Sequence, residues 1–206
     1  MRAMKDGYAY IKKVLFLHGF YASGSCDLAM ALREGLRGEA EVMSPDLPTH
    51  PTQALSLIQS ICETEHPDLL VGNSCGSFYA QIMACRLGIP ALLGNPHFEM
   101  TVFLSGRIGR HEYKSPRMDG RQELIIDKEL VEEFRVVQNR QFNEISETMT
   151  DKVWGIFGAQ DTLAHYEPVF LKHYKHSFHF PGGHTPTREE AMEYYVPIVK
   201  DMLRQV

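Results

Sequence analysis

Residues 68–77 read DLLVGNSCGS, and this stretch decides the fold. Its first four residues are the kind of short, mostly apolar run that forms a strand buried on both faces of a sheet. A glycine-rich turn follows at residues 72–76, and from Ser77 onward the residues are typical of a helix. Because strand, sharp turn and helix succeed one another without a gap, we expect the Ser74 hydroxyl to stand clear of the edge of a parallel sheet.

The turn itself, GNSCG, matches the pattern G-x-S-x-G, which a random chain of this length contains roughly once in fifteen. The pattern therefore gains its meaning from the strand and helix beside it. Side chains at positions 72 and 76 are expected to collide with the neighbouring strand and helix, so that glycine is required at both. The alternative is an ordinary turn of a nucleotide-binding fold, but the chain has no G-x-G-x-x-G and no Walker lysine.

Short apolar runs alternate with helical segments along most of the chain, which predicts an α/β protein with a mostly parallel sheet flanked by helices. We expect one domain over residues 1–206. The predicted strands, about six in number, are Lys13–Leu17, Glu41–Ser44, Leu69–Gly72, Ala91–Gly94, Lys152–Phe157 and Lys175–Phe180. The predicted helices are Thr52–His66, Ser77–Leu87 and Glu189–Leu203, the last kinked or split by Pro197.

The interval His97–Thr150 interrupts this alternation. It contains a polar stretch and then a predicted helix, Lys128–Met149, with an apolar face. An insertion at this point emerges beside Ser74, so we interpret residues 97–150 as a lid or cap. The alternative is a long crossover without a role in function. If it is a lid, five apolar residues are expected to line a pocket or its entrance: Phe98, Met100, Phe103, Phe134 and Val137.

Two backbone N–H groups are candidates to bind a negatively charged oxygen near Ser74. The first predicted strand leads directly into His18-Gly19-Phe20, and in enzymes with this arrangement such a segment donates the N–H of its last residue. The second donor is the N–H of the residue after the nucleophile, which we expect to be Ser74. The two candidate donors are therefore Phe20 and Cys75. We expect His18 to brace the loop and not to act as a base.

A serine that acts as a nucleophile needs a histidine as base and an acidic residue that orients the histidine. In enzymes with this turn, both follow the serine in the chain, the acidic residue first and the histidine after it. His184 has the best context of the ten histidines, because it lies on the glycine-rich loop Pro181–His184 after the last predicted strand. Asp161 follows a strand and a glycine turn, where a carboxylate can orient the base. An N-cap role is the alternative for Asp161, and Glu167, Asp151 and, less favourably, Asp46 are the other candidate acids.

Taken together, these segments make the chain resemble the compact bacterial YqiA-like esterases of the α/β-hydrolase superfamily. The resemblance rests on residues 17–20 (LHGF), 71–76 (VGNSCG), Asn95-Pro96, Asp161 and Gly182-Gly183-His184, in order over almost the whole chain. Two features depart from the family: Cys75-Gly76 stands where Leu-Gly is common, and residues 97–150 are long. The resemblance implies an α/β-hydrolase fold and hydrolysis of carboxylic esters, with some thioester activity.

The sequence therefore predicts a serine esterase in which Ser74, His184 and Asp161 act without metal or other cofactor on a small acyl ester. A thioesterase, a lactonase, an amide or carbon–carbon bond hydrolase and a non-catalytic binding module on the same scaffold remain alternatives. His173, His176 and His179 lack the spacing and partners of a metal site. A net charge of −5 without a basic stripe argues against nucleic acid as a partner. Four cysteines without a C-x-x-C pair, no secretory signal and no membrane-length apolar segment predict a cytoplasmic protein that does not bind membranes.

Overall fold

The computed structural model describes residues 10–206 and contains a six-stranded sheet in the order β2-β1-β3-β4-β7-β8. Every neighbouring pair in this sheet is parallel, as predicted. The strands of the sheet are β1 (Lys12–Leu17), β2 (Ala40–Met43), β3 (Leu69–Asn73), β4 (Ala91–Gly94), β7 (Val153–Gly158) and β8 (His176–Phe180). The strand order reverses direction at β1 and β3, and in open parallel sheets sites form beyond the carboxyl ends of strands at such a point.

Helices cover both faces of the sheet. Before the C-terminal helical segment, the helices in chain order are α1 (Asp27–Gly35), α2 (Pro51–Glu65), α3 (Cys75–Leu87), α4 (Met100–Ser105), α5 (Lys128–Gln138), α6 (Met149–Lys152) and α7 (Glu167–Phe170). Within β1, Val14 and Phe16 point to the face covered by α1 and the C-terminal helices, whereas Leu15 and Leu17 point to the face covered by α2 and α3. All four are fully buried, which explains why the strand is apolar without alternation.

The C-terminal helical segment is split, as predicted from Pro197. It consists of α8 (Arg188–Glu190), a π-helical turn (Ala191–Tyr195) and α9 (Val196–Gln205). Proline cannot donate the hydrogen bond that continues an α-helix, and the wider π turn lies directly before it.

The prediction of one helix from Lys128 to Met149 is wrong. Helix α5 ends at Gln138, and the chain continues in turns held by shorter hydrogen bonds, such as that from Arg140 N–H to the Val137 carbonyl. Gln141 is the physical reason, because its buried side-chain Nε2 donates to the Phe98 backbone carbonyl while its backbone carbonyl accepts from Nε2 of Gln81. These two contacts draw the chain out of the helical path.

A small hairpin in residues 97–150 was not predicted from the sequence. Its strands β5 (Gly109–Glu112) and β6 (Glu123–Ile126) are antiparallel and form a separate sheet. Leu124 and Ile126 are buried on one side while Ile125 is exposed on the other. A four-residue strand of this kind is too short to produce a clear sequence pattern.

Candidate active site

Ser74 occupies the sharp turn between β3 and α3, with φ 56° and ψ −119°. A positive φ is unfavourable for a residue with a side chain, and such strain is common at functional sites. The turn is possible because glycine precedes and follows it. A Cβ at Gly76 would lie 1.9 Å from the Leu17 carbonyl oxygen, and one at Gly72 would lie 2.5 Å from the Gly76 carbonyl oxygen. The expected collisions at both positions are confirmed.

The three residues predicted to act together lie in one hydrogen-bonded chain. Ser74 Oγ is 2.7 Å from Nε2 of His184, and Nδ1 of the same ring is 2.8 Å from Oδ2 of Asp161. A carboxylate can only accept, so Nδ1 carries the proton and Nε2 is left to accept from the serine hydroxyl. The site is largely enclosed, because the side chains of His184 and Asp161 are 15% and 3% exposed.

Asp161 uses its two carboxylate oxygens for different tasks. Oδ2 contacts His184, and Oδ1 accepts from the backbone N–H groups of Leu163 and Ala164. The contacts with Leu163 and Ala164 close a local turn. They do not cap a helix, because the next helix, α7, begins only at Glu167. Burial alone would raise the pKa of Asp161, but the hydrogen bonds from His184, Leu163 and Ala164 outweigh it and the pKa is lowered. The carboxylate is therefore held in its charged form.

The other candidate acids lie elsewhere. Glu167 contacts Ser177 and His179, Asp151 contacts Lys175, and Asp46 accepts backbone N–H groups in the loops around residues 24 and 118. His176 pairs with Asp151, and His173 stacks on Phe142. In the part of the chain that the structure describes, no group of three or more His, Cys, Asp and Glu side chains could hold a metal ion.

The two predicted N–H donors lie next to Ser74. Cys75 is the first residue of α3, so its N–H is one of the free donors of a helix N-terminus. The loop before Phe20 passes close to the serine, because a Cβ on Gly19 would be 3.4 Å from Ser74 Cβ and 3.9 Å from Oγ. Within residues 10–206, neither the Phe20 nor the Cys75 N–H has a hydrogen-bond acceptor. Both N–H groups therefore stay candidate donors to a bound oxygen.

His18 braces this loop, as predicted. The Leu47 N–H donates to Nε2 of His18, so Nδ1 carries the ring proton and donates to the Gly19 carbonyl. Burial lowers the pKa of His18 to about 4, which keeps the ring neutral at physiological pH. The ring thus joins the loop after β1 to the loop after β2.

Cysteine is a poorer candidate nucleophile than Ser74. The neighbouring Cys75 is buried, and burial raises the pKa of its thiol to about 12. The other three cysteines, Cys26, Cys62 and Cys85, are also free, and burial raises the pKa of each. A thiolate is the reactive form of cysteine, so none of these side chains is activated.

A cavity of about 380 Å³ opens beside Ser74 and His184. Its wall is mainly apolar and includes Phe16, Phe20, Tyr21, Leu28, Phe103 and Leu163. Residues 114–116 complete one side and are fixed to the loop after β1, because Lys114 N–H donates to the Tyr21 carbonyl at 2.7 Å and Ser23 Oγ donates to the Pro116 carbonyl at 2.6 Å.

Of the five residues expected to line the pocket, Phe103 lies on its wall. Phe98, Met100 and Phe134 are at most 1% exposed, and Val137 packs on the same core. The Phe134 ring lies 6.0 Å from that of Phe20, so Phe134 supports the wall from behind. These four residues belong to the core of the protein.

Two residues next to the site were not identified from the sequence as functional. His97 is buried, with its ring centre 6.5 Å from that of His184 and no hydrogen-bond partner for Nδ1 within residues 10–206. Burial lowers the pKa of His97 to about 4, and the charge of His184 adds to this effect. Asn95 contacts the loop that carries His184. Both residues directly follow β4, and Asn95-Pro96 was among the segments of the resemblance, but neither signal indicated a role for the side chains.

Comparisons with known proteins agree with the fold. A family model described as Uncharacterised protein family (UPF0227) matches residues 13–183. Among solved structures, Est1E from Butyrivibrio proteoclasticus is similar with 17% identity and a TM-score of 0.71, over 97% of this chain and 91% of that one. A monoacylglycerol lipase from Paleococcus ferrophilus has 17% identity and a TM-score of 0.69, over 94% and 95%.

Mouse alpha/beta hydrolase domain-containing protein 10 is similar over 100% of this chain and 92% of its own, with 10% identity and a TM-score of 0.69. At these identities the likeness concerns the fold. The six-stranded parallel sheet with helices on both faces is that of an α/β hydrolase, as predicted. No helix within residues 10–206 has the length and apolar character needed to cross a membrane.

Proposed function

The chain belongs to the uncharacterised protein family UPF0227, and we propose that it is a serine esterase that hydrolyses a small carboxylic ester through an acyl-enzyme intermediate. One observation carries the proposal: Ser74, His184 and Asp161 form a continuous hydrogen-bonded chain at the edge of an apolar cavity. A strained serine in contact with a neutral imidazole, itself oriented by a carboxylate, is the arrangement that acyl transfer requires.

In the proposed mechanism, His184 Nε2 takes the hydroxyl proton as Ser74 Oγ attacks the ester carbonyl. The negative charge on the carbonyl oxygen is stabilised by the free N–H groups of Phe20 and Cys75. His184 then gives the proton to the leaving alcohol, and the acyl group remains on Ser74. Water repeats the sequence and releases the acid, while Asp161 keeps the imidazole in the correct tautomer throughout.

Support for an ester substrate is of two kinds. The apolar wall beside Ser74 suits an uncharged acyl group, and the similar structures include Est1E, one of them with ferulic acid bound, and a monoacylglycerol lipase. The proposal gives residues 97–150 the role of shaping the acyl pocket through Phe103 and residues 114–116. It also assigns the enzyme to the cytoplasm, because its four cysteines are free thiols.

Labelling with a fluorophosphonate tests the proposal directly. We expect the wild-type protein and the exposed-serine control Ser60→Ala to be labelled, and Ser74→Ala to be unlabelled although folded. Hydrolysis of p-nitrophenyl acetate should fall by about 10⁴-fold or more in Ser74→Ala. If that variant keeps more than about a tenth of the activity, Ser74 is not the nucleophile. An unlabelled wild-type protein would favour a binding module, and a panel of esters, thioesters and lactones separates the reaction types.

A further inference from the structure

The segment Gly94–His97, which begins at the last residue of β4, holds the backbone of Ser74 from two sides. The Ser74 N–H donates to the Gly94 carbonyl at 2.9 Å, and the His97 N–H donates to the Ser74 carbonyl at 3.3 Å. The strained turn is therefore fixed by hydrogen bonds to the end of β4 as well as by its two glycines.

Within this segment, the side chain of Asn95 contacts the backbone of the two segments that carry His184 and Asp161. Its Nδ2 donates to the carbonyl oxygens of Gly183 and His184, both at 2.9 Å. Its Oδ1 accepts from the Gly158 N–H at 2.7 Å. Gly158 is the last residue of β7, and its own carbonyl accepts from the Asp161 N–H at 3.0 Å. One amide thus contacts the loop of the base and the strand end that holds the acid.

Only an amide side chain of this length satisfies all three partners. Two carbonyl oxygens require donors and one N–H requires an acceptor, which also determines which end of the amide is nitrogen. Asn95 is 1% exposed, so solvent does not compete for these contacts, and losing one leaves a buried polar group unpaired or bonded only to a trapped water. Its φ of 40° lies in the left-handed region, which asparagine tolerates better than most residues with a side chain.

We infer that Asn95 is a positioning residue of the active site, which fixes His184 and Asp161 relative to Ser74. The inference rests on the proposed function, since the value of this alignment is the proton transfer between Ser74 and His184. Asn95 does not contact the reacting atoms. Its effect is on the distance and angle at which His184 meets its two partners, and small displacements of such groups reduce kcat strongly.

Two substitutions and a matched control test this inference. Asn95→Ala removes all three contacts, and Asn95→Asp keeps the shape and the acceptor for Gly158 while it loses both donors. Ser77→Ala is the control: Ser77 is fully buried and its Oγ donates to the Gly94 carbonyl at 2.8 Å, so it loses a bond at the same strand end but leaves the His184 loop untouched.

We expect kcat for p-nitrophenyl acetate to fall about 10- to 100-fold in both Asn95 variants, with KM changed by less than about threefold. The control should keep a kcat close to that of the wild type, measured well below the melting temperature of each variant. A second readout needs no substrate: the proton shared by His184 Nδ1 and Asp161 should give a downfield NMR signal that is absent in His184→Gln. That signal should be lost or broadened in the Asn95 variants and unchanged in Ser77→Ala.

Each outcome has a defined meaning. If a folded Asn95→Ala or Asn95→Asp keeps the wild-type kcat and the downfield signal, the inference is wrong. If neither variant folds, Asn95 serves the fold and the positioning role is also rejected. Should Ser74→Ala retain hydrolysis, the proposed function fails, but the NMR signal still decides whether Asn95 aligns His184 with Asp161.

Discussion

Asp161 holds His184 through a single carboxylate oxygen, Oδ2, which lies 2.8 Å from Nδ1 of the imidazole. The other oxygen is already occupied by the N–H groups of Leu163 and Ala164. In Asp161→Asn these two N–H groups select the remaining oxygen, so the amide nitrogen faces His184. The amide N–H of the asparagine and the Nδ1–H of His184 would then face each other, so the imidazole shifts its proton to Nε2, which is the wrong tautomer for accepting the Ser74 proton. We expect kcat to fall by about 10⁴, measured with p-nitrophenyl acetate.

The same neutralisation at the other candidate acids provides the controls. Asp151 pairs with Lys175 on the surface and Glu167 pairs with His179, both away from Ser74. Asp151→Asn and Glu167→Gln should therefore keep kcat within about twofold of the wild type, because the hydrogen bonds of both carboxylates go to residues other than Ser74, His184 and Asp161. Equal losses in all three variants would mean that the acid has been assigned to the wrong residue.

Gly76 tests how tightly the turn at Ser74 is packed. A Cβ at this position would lie 1.9 Å from a backbone oxygen of β1, which cannot move aside as a side chain can. We expect Gly76→Ala to reduce the free energy of unfolding by more than about 4 kcal/mol, a loss reserved for severe clashes. Gly106→Ala is the control, because Gly106 is exposed, has a φ of −79° and has its nearest neighbour 4.0 Å away. Urea unfolding of both variants measures the difference, and equal losses would contradict the packing argument.

Stability should fall between about pH 6.5 and 4 because of His18 and His97. Burial lowers the pKa of both to about 4, whereas histidine in an unfolded chain has a pKa of 6.5. In this window the unfolded chain binds protons that the folded chain does not, so the free energy of unfolding decreases as the pH falls. A shift of this size at one buried histidine corresponds to about 3 kcal/mol. Urea unfolding at pH 7.5 and 4.5 measures the decrease.

The decrease should be smaller in His18→Gln, because glutamine offers an acceptor to the Leu47 N–H and does not titrate. His165→Gln is the matched control, since His165 is exposed and forms no hydrogen bond within residues 10–206. The prediction concerns the change in stability between the two pH values, not the stability itself. It fails if His18→Gln loses as much stability as the wild type on acidification.

The sequence was sufficient to predict the sheet and the three residues of the hydrogen-bonded chain. Ser74 was identifiable because the glycines, the strand and the helix around it are contiguous, and Asp161 and His184 because each follows a strand at its carboxyl end. All three positions are therefore encoded in short local patterns and in chain order. Their catalytic roles stay predictions until activity is measured.

The contacts that Asn95 makes could not be predicted in this way. Its partners Gly158 and Gly183 lie 63 and 88 residues further along the chain and contribute backbone groups, which have no sequence pattern of their own. The end of α5 was missed for a related reason. Gln141 leaves the helical path to bind Phe98, 43 residues earlier, and a local pattern of apolar residues does not record such a contact.

Phe103 should control which acyl groups the cavity accepts. Its half-buried ring lies on the wall beside Ser74, against Tyr21 at 6.2 Å and His97 at 4.9 Å between ring centres. Phe103→Ala should enlarge the cavity and raise kcat/KM for octanoyl relative to acetyl p-nitrophenyl esters, by about 10-fold or more if one good apolar contact is gained.

Phe142→Ala is the control: this ring is also half-buried in residues 97–150 but stacks on His173, away from the cavity. A uniform loss of kcat/KM for acetyl, butyryl and octanoyl esters in Phe103→Ala, equal to that in Phe142→Ala, would show that the ring only packs the insertion onto the core. A changed ratio in Phe103→Ala alone would establish that residues 97–150 select the substrate.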